Sequence, residues 1–186
     1  MRTISYENEH GQFLTEEETQ KTQVFTRIIK INSIIKTKEE FFNGELHNVL
    51  FYQEDETIDE IFNQYPELKG IDIVKRKDVQ GNYLREEIFG HHRNEGLKLH
   101  SFNIDNTFTG KTICFGDYNL QTGNIILKSV MKIQYDHFLN IAYHYYYNSS
   151  GKIDRIEEVS GERGYNEYSE SYYNNVLPLF PEIILI

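Results

Sequence analysis

Five times along this 186-residue chain a glycine beside polar residues interrupts runs rich in β-branched and aromatic side chains: at Asn43-Gly44, Gln80-Gly81-Asn82, Thr109-Gly110-Lys111, Thr122-Gly123-Asn124 and Ser150-Gly151-Lys152. Asn-Gly between two such runs is the strongest short-range hairpin signal, because both central residues of a type I′ turn need positive φ. The runs Leu46 to Tyr52, Tyr83 to Phe89, Thr112 to Phe115, Ile125 to Ile133 and Ile153 to Val159 therefore read as strands joined by tight turns. The 14 Tyr and 12 Phe, with many Ile and Val, suit a pleated, half-buried surface. Irregular spacing of the turns excludes a solenoid, whose units must stack in register. The expected fold is α+β and β-rich: an antiparallel β-meander sheet with one or two short helices.

Val24 to Lys36 alternates over a long stretch with apolar residues on both faces, which reads as a central strand or a bend. Helix signals are few. Thr57 with Glu60 forms a capping box ahead of Ile58, Ile61 and Phe62, and Pro66 ends that segment; Thr15 with Glu18 repeats the box before a poorly apolar stretch. Tyr135 to Tyr147 fits either period. The chain contains only Pro66, Pro178 and Pro181 and no Ser/Gly-rich linker, so residues 1–186 are expected to form a single domain. A chain of this length buries roughly 70% of its extended surface on folding and needs neither disulfide nor metal for stability.

Acidic residues outnumber basic ones, 29 against 19, giving a net charge of −10. Such an excess repels phosphate backbones and anionic membranes, so no nucleic-acid or membrane partner is expected. No secretory apolar core occupies the amino terminus, and the apolar tail Val176 to Ile186 falls short of the ~20 residues that span a bilayer. The expected location is cytoplasmic. Cys114, the only cysteine, excludes an intramolecular disulfide and reads as a small core residue.

Motifs with a defined mechanism are missing: there is no G-x-S-x-G, no G-x-x-x-x-G-K-[ST], no H-E-x-x-H and no G-x-G-x-x-G. His91, His92 and His100, and separately His137 and His144, lack the companion ligands that zinc spacing requires, so neither metal nor cofactor is expected. The paired carboxylates Glu86-Glu87 and Glu157-Glu158 point to opposite faces if they lie on strands, and each reads as a solvated charge. No catalytic residue is assigned, and the reading leans away from an enzyme.

A surface pattern remains. Between Tyr143 and Tyr173, tyrosines interleave with carboxylates, and tyrosine supplies large contact area at low entropic cost. With carboxylates beside it, such a face suits a basic protein partner. The candidate partner-binding residues are Tyr145, Tyr147, Glu157, Glu158, Tyr165, Glu167, Tyr168, Glu170 and Tyr172. The competing reading packs half of each tyrosine strand into the core.

The stretch from Tyr145 through Ser149-Ser150-Gly151-Lys152 to Ile156, an aromatic strand, a polar turn and a glycine, resembles the repeat unit of bacterial YD-type and MORN-like antitoxins, with weaker echoes at Gly44, Gly81 and Gly123. The small acidic profile is similar to that of immunity proteins of bacterial toxin systems. This resemblance implies a non-enzymatic inhibitor that covers a basic partner, such as a toxin. The alternative is a small-ligand-binding protein or enzyme whose aromatic-lined pocket gathers His91, His92, His100, His137 or His144. A third reading is a homo-oligomer assembled through the tail Val176 to Ile186.

Overall fold

The computed structural model describes residues 1–136, 138–159 and 170–181. It is β-rich with three short helices, and its strands follow one another as a meander. The strands are β1 (Arg2–Asn8), β2 (Phe13–Leu14), β3 (Val24–Ile31), β4 (Ile34–Phe42), β5 (Glu45–Tyr52), β6 (Gly70–Gln80), β7 (Tyr83–His92), β8 (Gly96–Asn106), β9 (Lys111–Asp117), β10 (Met131–Tyr135), β11 (Ile141–Tyr147) and β12 (Ile153–Glu158). The helices are α1 (Glu16–Thr19), α2 (Ile58–Gln64) and α3 (Glu170–Asn174). The hydrogen-bonded order is β12-β11-β10-β9-β8-β7-β6-β5-β4-β3-β1-β2. Adjacent strands thus pair with chain neighbours almost throughout, and the described pairings are antiparallel except that of β5 with β6. No described helix is long and apolar enough to cross a membrane.

The chain divides into two compact units, Met1–Lys75 with Ile88–Lys98, and Arg76–Glu87 with Leu99–Ile186. In the first, the parallel β5–β6 pair requires a crossover, and α2 supplies it. Thr57 caps α2 as its sequence predicts: its hydroxyl accepts from the Glu60 N–H, and the Glu60 carboxylate accepts from the Thr57 N–H at 2.8 Å. These bonds hold the Glu60 carboxyl below the ordinary range. The helix lays Ile61 and Phe62 onto Val49, Phe51, Ile71 and Ile73. Arg93 closes its other end, donating to the carbonyls of Phe62 and Tyr65 at 3.0 Å each, with the guanidinium over the Phe62 ring. Thr15 and Glu18 build the second predicted box on α1.

In the second unit, Phe102, Ile104, Ile113, Cys114, Val130 and Tyr147 form a core onto which α3 and the chain beyond it bring Tyr172, Tyr173, Val176 and Leu179. Cys114 is fully buried, and burial pushes its thiol pKa up to about 12, as an inert core residue requires. Lys132 is equally buried. Its ammonium donates to the carbonyls of Tyr172 at 2.5 Å and of Asn175 and Pro178 at 2.9 Å each, and lies 3.7 Å from the Tyr172 ring centre. Burial lowers its pKa to about 8, which leaves it protonated at neutral pH. Val176 and Leu179 of the apolar tail are thus packed inside their own unit while Leu177 stays exposed; residues 182–186 lie outside the described residues.

Several local expectations are revised. Val24 to Lys36 is two strands, joined at Asn32-Ser33, where φ is 51° and 68°. Both central residues occupy the left-handed region without a glycine, and the Met1 ammonium donates to the Asn32 side chain at 2.5 Å. Ile125 to Ile133 is not one strand: a bridge at Ile125, then a 3₁₀ turn at Leu127–Ser129, precede β10. Tyr135 to Tyr147 is strand, loop and strand, with His137 outside the described residues.

Two predictions follow from the packing. Lys132→Met leaves three main-chain carbonyls without their buried donor and should lower stability by roughly 3 kcal/mol in urea denaturation. Gly110→Ala and Gly151→Ala both force a side chain into positive φ, at 68° and 78°. Only at Gly151 would the new Cβ also meet a neighbour, Val176 Cγ1 at 2.9 Å. Gly110→Ala should therefore cost about 1 kcal/mol and Gly151→Ala clearly more, read as the difference in thermal midpoint.

Candidate surface on the last hairpin

The candidate surface is set by the register of β11 and β12. A turn at Gly151, with φ of 78°, joins them, and the Asn148 side chain accepts from the N–H groups of Ser150 at 2.9 Å and Lys152 at 3.2 Å. Cross-strand partners are Tyr143 with Glu158, His144 with Glu157, Tyr145 with Ile156 and Tyr146 with Arg155; a bulge between Tyr146 and Tyr147 then shifts the pairing to Ile153. Directly opposed residues share a face. Tyr143, Tyr145, Ile156 and Glu158 therefore line one side, and His144, Tyr146, Arg155 and Glu157 the other.

On the second side the polar groups organise one another. The Tyr146 hydroxyl donates to the Glu157 carboxylate at 2.8 Å, and that bond raises the phenol pKa. Arg155 stacks 4.1 Å from the Tyr146 ring centre, and His144 Nδ1 lies 3.9 Å from Glu157. On the first side Tyr145 is half-buried: its ring stacks on Tyr173 at 4.4 Å and its hydroxyl donates to Gln134 at 2.7 Å. Asp154 through Glu158 are all exposed, Ile156 to 50%.

The sequence-selected residues are distributed unevenly over this surface. Tyr145, Glu157 and Glu158 lie on the hairpin, but Glu157 faces away from the other two. Tyr147 and Tyr172 belong to the core: the Tyr147 hydroxyl donates to the Tyr173 carbonyl at 2.8 Å, and the Tyr172 hydroxyl to the Leu179 carbonyl at 3.1 Å. Neither offers a partner any surface, which corrects their assignment; strand alternation turns Tyr147 toward the core and the docking of α3 buries Tyr172. Tyr165, Glu167 and Tyr168 lie outside the described residues, and Glu170 begins α3. Tyr146 and Arg155, which belong to the tyrosine-rich stretch but not to the candidate set, complete this surface. Counting back from the Gly151 turn pairs Tyr146 with Asp154; the bulge moves the pairing on to Arg155.

The other candidates are already engaged. Glu86 pairs with Arg76 at 3.3 Å, whereas Glu87 receives Arg85 at 3.7 Å and His100 at 3.3 Å, so the two adjacent carboxylates serve different cations. The His100 ring stacks on Tyr118 at 4.1 Å. His92 pairs with Glu95, and burial together with Lys75 lowers the His91 pKa. Among the described residues no three His, Cys, Asp or Glu side chains are placed to hold a metal ion. No protein-family model, no curated protein and no solved structure matches this chain.

Proposed function

We propose that this chain is a non-enzymatic protein-binding module, an immunity- or antitoxin-like inhibitor that meets a basic partner protein along β12. The observation that carries the reading is the run Asp154 to Glu158, five successive exposed residues on a strand, beside Tyr143, Tyr145 and Tyr146 of β11. A strand exposed on both faces contributes little to a core. Here Ile156 and Glu158 are exposed beside Tyr143 and Tyr145 on one side, and Glu157 and Arg155 beside Tyr146 on the other, so both faces of the edge strand carry an aromatic and a carboxylate. Tyr146 is held in place by Glu157 and Arg155 before any partner arrives, so little rotamer entropy is lost on binding. The net charge of −10 adds long-range attraction for a basic protein. The stretch that resembles antitoxin repeat units coincides with this hairpin.

The test is retention from lysate of the encoding cell, with the wild-type chain and an Asp154→Lys/Glu157→Lys/Glu158→Lys variant as baits. The wild type should retain a basic protein in equimolar amount that raised salt releases, and the variant should lose it. The purified pair should associate at least tenfold more slowly with the variant, while exposed substitutions shift folding stability by only about 0.5 kcal/mol each. Equal capture by both baits would refute the reading.

A further inference from the structure

In the first unit, α2 packs on β5 and β6, and beyond it the same face exposes Ile4 of β1 and Ile31 of β3 to nearly half. A cavity of about 430 Å³ lies there, with Ile29, Ile31 and Phe51 as its apolar lining and Tyr65, at the end of α2, as one wall. That volume is within the range of small-molecule sites.

Strand register aligns the polar groups of this cavity. Arg27 on β3 is opposite Glu39 on β4, and Ile29 is opposite Thr37, which is in turn opposite Phe51 on β5. Glu39 is only 2% exposed. One of its oxygens accepts from Arg27 Nε at 2.5 Å; the other accepts from the Tyr65 hydroxyl at 2.8 Å and the Thr37 hydroxyl at 3.4 Å. A buried carboxylate is costly unless so satisfied. Its bond through Nε, with the Phe41 ring 5.0 Å from the guanidinium carbon, fixes the plane of Arg27 and leaves both terminal nitrogens without an acceptor among the described residues. Lys36, also at the cavity, is already neutralised by Glu56 at 2.5 Å. Arg2 lines the cavity four register steps along β1 from the residue opposite Arg27, about 13 Å of strand, and has no carboxylate partner among the described residues.

We infer that this cavity binds a small organic anion, its carboxylate forked by the terminal nitrogens of Arg27 and its apolar body lying over Ile29 and Ile31 toward Arg2. A planar fork held by a buried counter-charge is suited to a bidentate carboxylate, and charge-assisted pairs of this kind are the strong ones. The site is chemically the inverse of the acidic hairpin surface. Two guanidiniums collect here in a chain of net charge −10, Arg27 with its fork free although its charge is met by Glu39, and Arg2 with no carboxylate beside it among the described residues.

Decanoate and decyltrimethylammonium share an apolar chain and differ in the sign of the head, so titrating each into the full chain by calorimetry tests the site. Decanoate should saturate at one per chain and the cation should not bind. Arg27→Lys keeps a cation for Glu39 but removes the fork, and should weaken decanoate about tenfold, or roughly 1.4 kcal/mol. Ile31→Trp, at a half-exposed position on the rim, should block binding while the chain stays folded. The inference is overturned if decanoate shows no saturation up to about 10 mM, if the cation binds equally well, or if decanoate binds both variants as it binds the wild type.

Discussion

The ammonium of Lys132 decides whether the second unit can close. Sheets bury apolar side chains readily, but the segment from α3 to Pro181 is mostly irregular, and irregular backbone brings unpaired carbonyls with it. One cation answers three of them, at Tyr172, Asn175 and Pro178. Burying a charge is costly in isolation; here it is offset by three charge-assisted bonds and by the face of the Tyr172 ring. With those carbonyls satisfied, Val176 and Leu179 can fill the space beside Val130 and Tyr147.

The first unit solves the same problem with Arg93. Its guanidinium gives a second donor to the Phe62 and Tyr65 carbonyls at the end of α2, which also accept from the Tyr65 and Leu68 N–H groups, and lies over Phe62. In both units a non-sheet segment is seated by a cation that donates to main-chain oxygen and stacks on an aromatic ring. Glu39 is the contrasting case, a buried anion whose satisfaction comes from side chains of two strands and a helix end, which makes it sensitive to the shape of the cavity it borders.

Legibility in the sequence followed the range of the interaction. Turns at Gly44, Gly81, Gly110 and Gly151 and both capping boxes are written in residues within four positions of one another, and all are present in the fold. The turn at Asn32-Ser33 was hidden because it uses left-handed backbone without glycine, stabilised by the distant Met1. Helix α3 and the two cation seats rest on partners up to 46 residues apart, for which no local pattern exists. On the last hairpin the alternation that separates Glu157 from Glu158 is legible, but which face meets the core is not: Tyr145 and Tyr147 both reach Tyr173, a partner 26 or more residues away.

Lys132 precedes its carbonyl partners by 40 to 46 residues, so during synthesis the residues of β10 are made well before them. In that interval the strand carries a hydrated charge on the face it shares with Gln134, opposite Met131, Ile133 and Tyr135. A charge pointing inward is among the devices by which sheets avoid pairing with other chains. The residue that locks the finished unit thus also guards the unfinished one, and its protective role ends when the last helix arrives to claim it.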